Sequence, residues 1–241
     1  MKQAQDLSYK SEARRGLLFV FMAGVLWSTV GLGIRMIDEA TVWQILLYRS
    51  ISLSLFLAIV IYLRSSGNLF TIVRAAGLPA CIAGLALVGA YAGGIYGIQS
   101  TSVANAMLLF ASAPFMAAIL GWIFLREKVR KATWISILFA MLGIGIMVQD
   151  KSTGSALLGN LAALGSAFGF AVFTVALRWG RSVEMLPAVL LSGIFAIFIT
   201  SSICLLSGLP FQISVNDTGI SMGMGVFQVG AGLVLYTLGS K

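Results

Sequence analysis

Apolar residues run along the chain in eight blocks, and charged residues fall almost entirely in the gaps between them. The blocks are residues 16–36, 42–63, 78–98, 102–125, 134–148, 156–179, 186–206 and 219–238. A helix needs about 20 mainly apolar residues to cross the roughly 30 Å hydrocarbon core of a bilayer. The pattern predicts an all-α integral membrane protein with about eight transmembrane helices, since helices satisfy their own backbone in lipid. The breaks between blocks are short and polar. They hold Asp38, Glu39 and Thr41; residues 64–74 with Ser65, Ser66, Gly67 and Asn68; the uncharged turn 99–101; the cluster Arg126-Glu127-Lys128-Val129-Arg130-Lys131; Asp150 and Lys151; and residues 207–218.

Composition narrows the class. Of 241 residues, 59% are hydrophobic and 10% charged, far more apolar surface than a soluble domain of this length could hide. The net charge of +8 does not imply a nucleic-acid partner, because the basic residues sit in the short loops of a membrane pattern. Cys81 and Cys204 lie inside apolar blocks and read as small buried residues, not as a disulfide. The absence of histidine removes the usual general base, proton shuttle and metal ligand.

The first block and its surroundings recur. Residues 16–50 align without a gap with 159–193: Gly16 meets Gly159, Trp27 meets Phe170, Arg35 meets Arg178 and Leu47 meets Leu190. Identities are few, and the match lies in a shared register of glycine start, aromatic middle and arginine end. At nearly the same spacing, residues 96–100 are echoed by 236–240, each opening on tyrosine and closing on serine. The chain thus reads as a polar tail (1–15), a first five-helix unit (16–148) and an incomplete second unit of three helices (159–241). By that symmetry about 50 residues and two helices of an expected ten are missing. The other reading, an eight-helix protein in its own right, leaves half a repeat unmatched. An odd number of helices per unit makes the units enter the membrane from opposite faces. That is the inverted-repeat plan of many secondary transporters, with the substrate near the midplane.

Basic residues orient the bundle. With the tail in the cytoplasm, Lys2, Lys10, Arg14, Arg15, Arg64, Arg74, Arg126, Lys128, Arg130, Lys131, Arg178, Arg181 and Lys241 fall inside. Only Arg35 and Lys151 fall outside. The first block is too long for a signal peptide's apolar core and has no small-x-small cleavage site, so it reads as a retained helix.

Polar residues inside the blocks are the candidates for function. Trp27, Ser28 and Thr29 place an aromatic and two hydroxyls within the first helix, although the hydroxyls can simply bond back to their own helix. Arg49 lies about seven residues, or roughly 10 Å, into the second helix. A charge at that depth costs about 3 kcal/mol or more without a partner. No Asp or Glu lies within any block. Arg49 can therefore reach out to Asp38 or Glu39, bond helix carbonyls, or face a wet cavity and attract an anion. In the third helix, Gly89-x-x-x-Gly93 and Gly93-x-x-x-Gly97 allow close helix packing, with Tyr91 and Tyr96 among them as cavity-lining, interfacial or packing aromatics. The fourth helix carries Asn105 near one end and Pro114 near its centre, where a kink is expected.

In order along the chain come an aromatic and polar first helix, Arg49 early in the second, and Ser112-Ala113-Pro114 in the fourth. The loop Leu125-Arg126-Glu127-Lys128 and the glycine-rich Gly143-Ile144-Gly145 follow. In that order they resemble one repeat of the EamA-type transporters of the drug/metabolite transporter superfamily. The resemblance covers the chain after its tail and is clearest in the first half. It implies a permease or exporter of amino acids, other small metabolites, nucleotide sugars or drugs, in a bacterial inner membrane. The family's cavity is lined largely by the third, fourth, eighth and ninth helices, which points here to Tyr91, Tyr96, Asn105, Gln228 and Tyr236, beside Trp27 and Arg49.

Enzyme signatures are absent: there is no phosphate-binding P-loop, no dinucleotide fingerprint and no His or Cys cluster. No loop is long enough for a nucleotide-binding domain, so no cofactor is expected. Asn216-Asp217-Thr218 matches a glycosylation sequon, a pattern that is usually accidental. The function expected is alternating-access transport of a small polar or amphiphilic metabolite. A lipid or lipid-linked sugar carrier of the small drug exporter type, and a non-transporting membrane subunit, are the alternatives. Whether the chain acts as monomer or homodimer is left open.

Overall fold

The computed structural model describes residues 2–64, 69–149, 155–180 and 186–239. Ser65, Ser66, Gly67, Asn68, Asp150, Lys151, Arg181, Ser240 and Lys241 lie outside the described residues. Among the described residues the regular structure is helix throughout. Seven helical stretches are long and apolar enough to cross a membrane: Arg14–Arg35, Val42–Arg64, Gly77–Ser100, Val103–Leu125, Ala156–Trp179, Leu186–Leu206 and Val215–Leu238. The protein is an all-α integral membrane protein. The remaining apolar block forms the helix Lys131–Gln149, whose described apolar part, Lys131–Gly143, is shorter than a full span.

Several blocks are interrupted, each for a local reason. The first divides into α1 (Lys2–Ser28) and α2 (Val30–Arg35), so helix begins well before the polar tail ends. At the division the Ser28 and Thr29 hydroxyls donate to Val25 O and Leu26 O, each at 2.7 Å. Such back-bonding bends a helix, and it is the structural reading weighed for these two residues. α3 (Val42–Arg64) is continuous. α4 (Leu69–Ser100) contains Gly77 at φ 64°, ψ −163°, a conformation open essentially to glycine alone. The fourth block is α5 (Val103–Phe110) and α6 (Ala113–Leu125), with Pro114 in the first turn of α6. Proline is well accommodated there, where its missing N–H has no helical partner to lose. The expected kink falls at a tight turn, Ala111 and Ser112, within a single span, where Ser112 Oγ donates to Leu109 O at 2.6 Å. α7 (Lys131–Gln149), α8 (Ser155–Trp179) and α9 (Leu186–Leu206) follow. The last block is α10 (Val215–Gly223), a π-helical segment (Met224–Ala231) and α11 (Gly232–Gly239).

Helix α4 packs along α8 and α9, α3 along α9, α10 and the π-helical segment, and α1 along α11 and that segment. Small residues set these distances. A Cβ on Gly93 would stand 2.6 Å from Ala162 O, and one on Gly97 3.2 Å from Gly159 O. From the other side a Cβ on Gly169 would stand 2.8 Å from Ala86 O. Ser166 Oγ crosses the seam to donate to Ala90 O at 2.6 Å. Of the glycine series, positions 93 and 97 make the α4–α8 contact, while Gly89 faces open space. Backbone contact of this kind replaces the hydrophobic effect, which gives helices no reason to associate inside lipid. Leu53, Leu57, Leu87 and Leu190 fill one buried cluster, and Ile45, Leu46, Ile95 and Leu109 another. Leu17, Phe21, Leu55, Phe139 and Phe198 stay exposed on the outside, where acyl chains would meet them.

Candidate functional site

Arg49 is 4% exposed, and its guanidinium carbon lies 4.3 Å from the centroid of the Tyr91 ring. α3 supplies the cation and α4 the ring; the Tyr91 hydroxyl lies beside Ser192 of α9. Three helices therefore meet at one charge. The arginine reaches neither Asp38 nor Glu39, since the ion pair among the described residues is Arg178–Glu127. A desolvated cation–π contact contributes about 2 kcal/mol, less than the 3 kcal/mol or more that burial in a membrane costs. The balance is not closed, and Arg49 Nε has no hydrogen-bond partner. The Tyr91 hydroxyl also shares a hydrogen bond with the guanidinium, and what is missing is an acceptor for Nε.

The end of α10 and the π-helical segment bring further polar atoms to α3. Ser52 Oγ donates to Met222 O at 2.9 Å. The bare face of Gly225 lies against Ser52 Oγ and the Arg49 carbonyl, so any side chain there would collide with the α3 backbone. Gln228, three residues further on, is 5% exposed with its Oε1 unpartnered. It lines a cleft of about 230 Å³ with Leu26, Thr29, Gly33 and Met224. π-helical turns are often found at functional sites because the widened turn re-aims side chains. Between α1 and α11, Trp27 meets Tyr236 at a ring separation of 5.6 Å, and the bare face of Gly232 accepts the Trp27 indole.

The candidates thus fall into two groups. Arg49 and Tyr91 form one, and Trp27 of α1, Gln228 of the π-helical segment and Tyr236 of α11 form the other; the segment's contact with α3 joins them. Tyr96 is 37% exposed on another face of α4 and shares neither group. Asn105 is half-buried in the first turn of α5, its backbone N–H donating to the capping Ser102 Oγ at 3.1 Å.

One residue escaped the sequence reading. Asp217, placed by sequence in a loop, belongs to the first turn of α10 and is wholly buried. Its carboxylate accepts the amides of Asp38 (3.1 Å), Glu39 (3.2 Å) and Ala40 (3.0 Å). Ser214 Oγ in turn caps the Asp217 amide at 3.0 Å. The signal available was Ser214-x-x-Asp217, the spacing of a helix N-cap. The sequon's Asn216 is exposed beside it.

The site can be set beside known proteins. Residues 14–149, over half of the chain, match the model of the EamA-like transporter family. The uncharacterised transporter YetK of Bacillus subtilis is 36% identical over 87 residues, 34% of this chain and 26% of that protein. Protein RarD of Escherichia coli is 27% identical over 168 residues, 67% of this chain and 54% of its own. Mouse solute carrier family 35 member G1 is 32% identical over 102 residues, 37% of this chain and 28% of that one. The chain therefore spans about half, or less, of the length of the curated relatives it matches. A crystal structure of another protein superposes with a TM-score of 0.64 over 94% of this chain and 79% of that one. At 19% identity it shows a shared fold. With a match of this extent across its first five apolar blocks, the chain belongs to the EamA-like transporter family.

Proposed function

We propose that this permease carries a small anionic or zwitterionic metabolite, such as an amino acid, across a bacterial inner membrane by alternating access. The N-terminus would lie in the cytoplasm, as the loop charges favour. The observation that carries the substrate reading is the buried Arg49: a fixed cation on the Tyr91 ring, with a free Nε and no carboxylate counter-ion among the described residues. A substrate carboxylate supplies the absent acceptor through a charge-assisted bond. Gln228 orients its polar part from the π-helical segment, and Trp27 with Tyr236 offers aromatic surface to its apolar part.

Packing supports two related halves. α4 lies along α8, as the α10–α11 region lies along α1; α4 also meets α9, as α10 meets α3. Exchanging the first, second and third spans with the sixth, seventh and eighth turns each contact into its mate. Rocking of such halves about a central charge is the motion that inverted repeats provide.

The test is counterflow of a labelled amino-acid and organic-acid panel in proteoliposomes. Arg49→Lys keeps a charge but loses the planar fork, and Arg49→Met removes the charge at similar length. The expected result is anion flux cut about tenfold or more by Arg49→Met, with Tyr91→Phe closer to wild type because the ring remains. Anion flux unaltered in a folded Arg49→Met protein would assign Arg49 to structure and remove the basis for an anionic substrate.

A further inference from the structure

A second concave site lies away from Arg49, at the end of the bundle where loop cations gather. It is a cleft of about 690 Å³ between the last turn of α6 and the first turn of α7, lined by Trp122, Ile123, Arg126, Glu127, Lys128 and Trp134. We propose that this cleft binds the headgroup phosphate of an anionic phospholipid taken from the surrounding leaflet.

Charge, depth and backbone geometry point to that occupant. Glu127 is already engaged: its Oε2 meets Arg178 Nη1 at 2.7 Å, and both rest on the bare face of Gly121. Arg126 and Lys128 are therefore the charges left to face the cleft, and neither is in an ion pair among the described residues. Arg130 and Lys131 extend the same loop. A phosphodiester is the membrane's own complement to such a group, and cations near an anionic lipid surface gain from it.

Depth is set by the tryptophans. Trp122 precedes the end of α6 by three residues and Trp134 follows the start of α7 by three, each about 5 Å along its helix axis. Their rings meet edge to face at 5.4 Å and 87°, and both are exposed. Indoles in the terminal turns of membrane helices sit at the headgroup and glycerol level. The cleft so offers cations toward the phosphates and aromatic faces toward the glycerol and first methylenes.

The backbone gives a third observation. Arg126 ends α6 at φ 54°, the left-handed conformation that glycine usually takes at a helix C-terminus. Among the described residues it is the one non-glycine with positive φ. Glycine would meet the turn without steric cost; arginine brings to it a cation at the lip of the cleft. Positive loops for topology alone need neither this position nor a paired-indole wall.

The experiment reads tryptophan emission of the whole chain in vesicles of phosphatidylcholine, doped with acyl-brominated phosphatidylglycerol or acyl-brominated phosphatidylcholine. Quenching by the anionic lipid should exceed that by the zwitterionic one. The Arg126→Gln/Lys128→Gln variant should weaken anionic-lipid binding about fivefold per cation removed. Arg126→Lys/Lys128→Arg should restore it, which separates charge from misfolding. Trp122→Phe/Trp134→Phe should abolish the excess quenching, because Trp179 at the same end lies outside the cleft lining. Equal quenching by the two lipids, or a preference that survives Arg126→Gln/Lys128→Gln or Trp122→Phe/Trp134→Phe, overturns the proposal. Displacement of the brominated anionic lipid by inorganic phosphate assigns the cleft to a soluble anion and overturns it as well.

Discussion

At one end of the bundle the Asp217 carboxylate, with 0% exposure, holds three backbone amides of the turn between α2 and α3. At the other end the Glu127 carboxylate, 41% exposed, holds the Arg178 guanidinium, 42% exposed. Both join distant parts of the chain, and both are charged. They differ in what they hold. Backbone amides are fixed by the fold, so Asp217 gains three charge-assisted bonds without ordering a long partner. Arg178 and Glu127 must each give up rotamer freedom in water, and such pairs contribute about 0–1 kcal/mol. Near Asp217 the Arg35 guanidinium also donates to Thr101 O at 2.5 Å, and Gln44 Nε2 to Pro210 O at 2.7 Å. Among the described residues the two ends are fastened unequally, the Glu127 end by the weaker contact.

The largest effect should follow from Asp217→Ala. Removing the acceptor strands three amides, that of Ala40 fully buried, at a cost of about 1–3 kcal/mol for each well-buried group. A loss of about 3 kcal/mol, read as denaturant-induced unfolding in detergent, is expected. Asp217→Asn should recover less than half, because its amide nitrogen presents donors to donors. A loss below 1 kcal/mol for the alanine variant would mean that water replaces the carboxylate and that the two ends are not unequal.

Asp217 also marks the limit of what the sequence conveys. Block length and the position of charges place nearly every helix, because a bilayer admits few alternatives to a continuous apolar helix. Arg49 stands out for the same reason: a lone charge in an apolar block is costly wherever it points. Its partner does not stand out. Tyr91 and Tyr96 look alike in sequence, and only the rotation of α4 sends one under Arg49 and the other to an exposed face. In sequence Asp217 reads as a loop residue, and its three partners are amides some 180 positions away, which no side-chain pattern encodes. The division at Thr29 and the π-helical segment are equally invisible, since helix types share one hydrophobic signature.

Gly225→Ala comes next and reaches the seam between the ends. A Cβ there would collide with Ser52 Oγ and the Arg49 carbonyl, which are held by the helix and cannot rotate away together. Overpacking of this kind costs about 1–3 kcal/mol. Gly223→Ala, two residues earlier and with nothing within 4 Å of its Cβ, is the control and should be neutral or slightly stabilising. Equal stability of the two variants would show that the π-helical segment does not need its close approach to α3.

The smallest effect is expected where the interaction looks strongest on distance alone. Arg178→Ala breaks a 2.7 Å ion pair and a 3.3 Å bond from Arg178 Nη2 to Ala117 O, yet both partners of the ion pair are open to water. A destabilisation below about 1 kcal/mol is expected, shrinking further at high salt as screening weakens the pair in the wild type. Glu127→Ala should cost about the same, and the double variant no more than the larger single change plus a few tenths, the coupling of an exposed pair. Hydrogen exchange then reads the comparison directly. Losing the pair should speed exchange in the last turns of α6 and α8 and leave the 38–40 amides protected, because Asp217 holds those from the opposite end. Deprotection at 38–40 in the Arg178→Ala protein would mean that the ends open together, with the bundle behaving as one rigid unit and not as two ends of unequal strength.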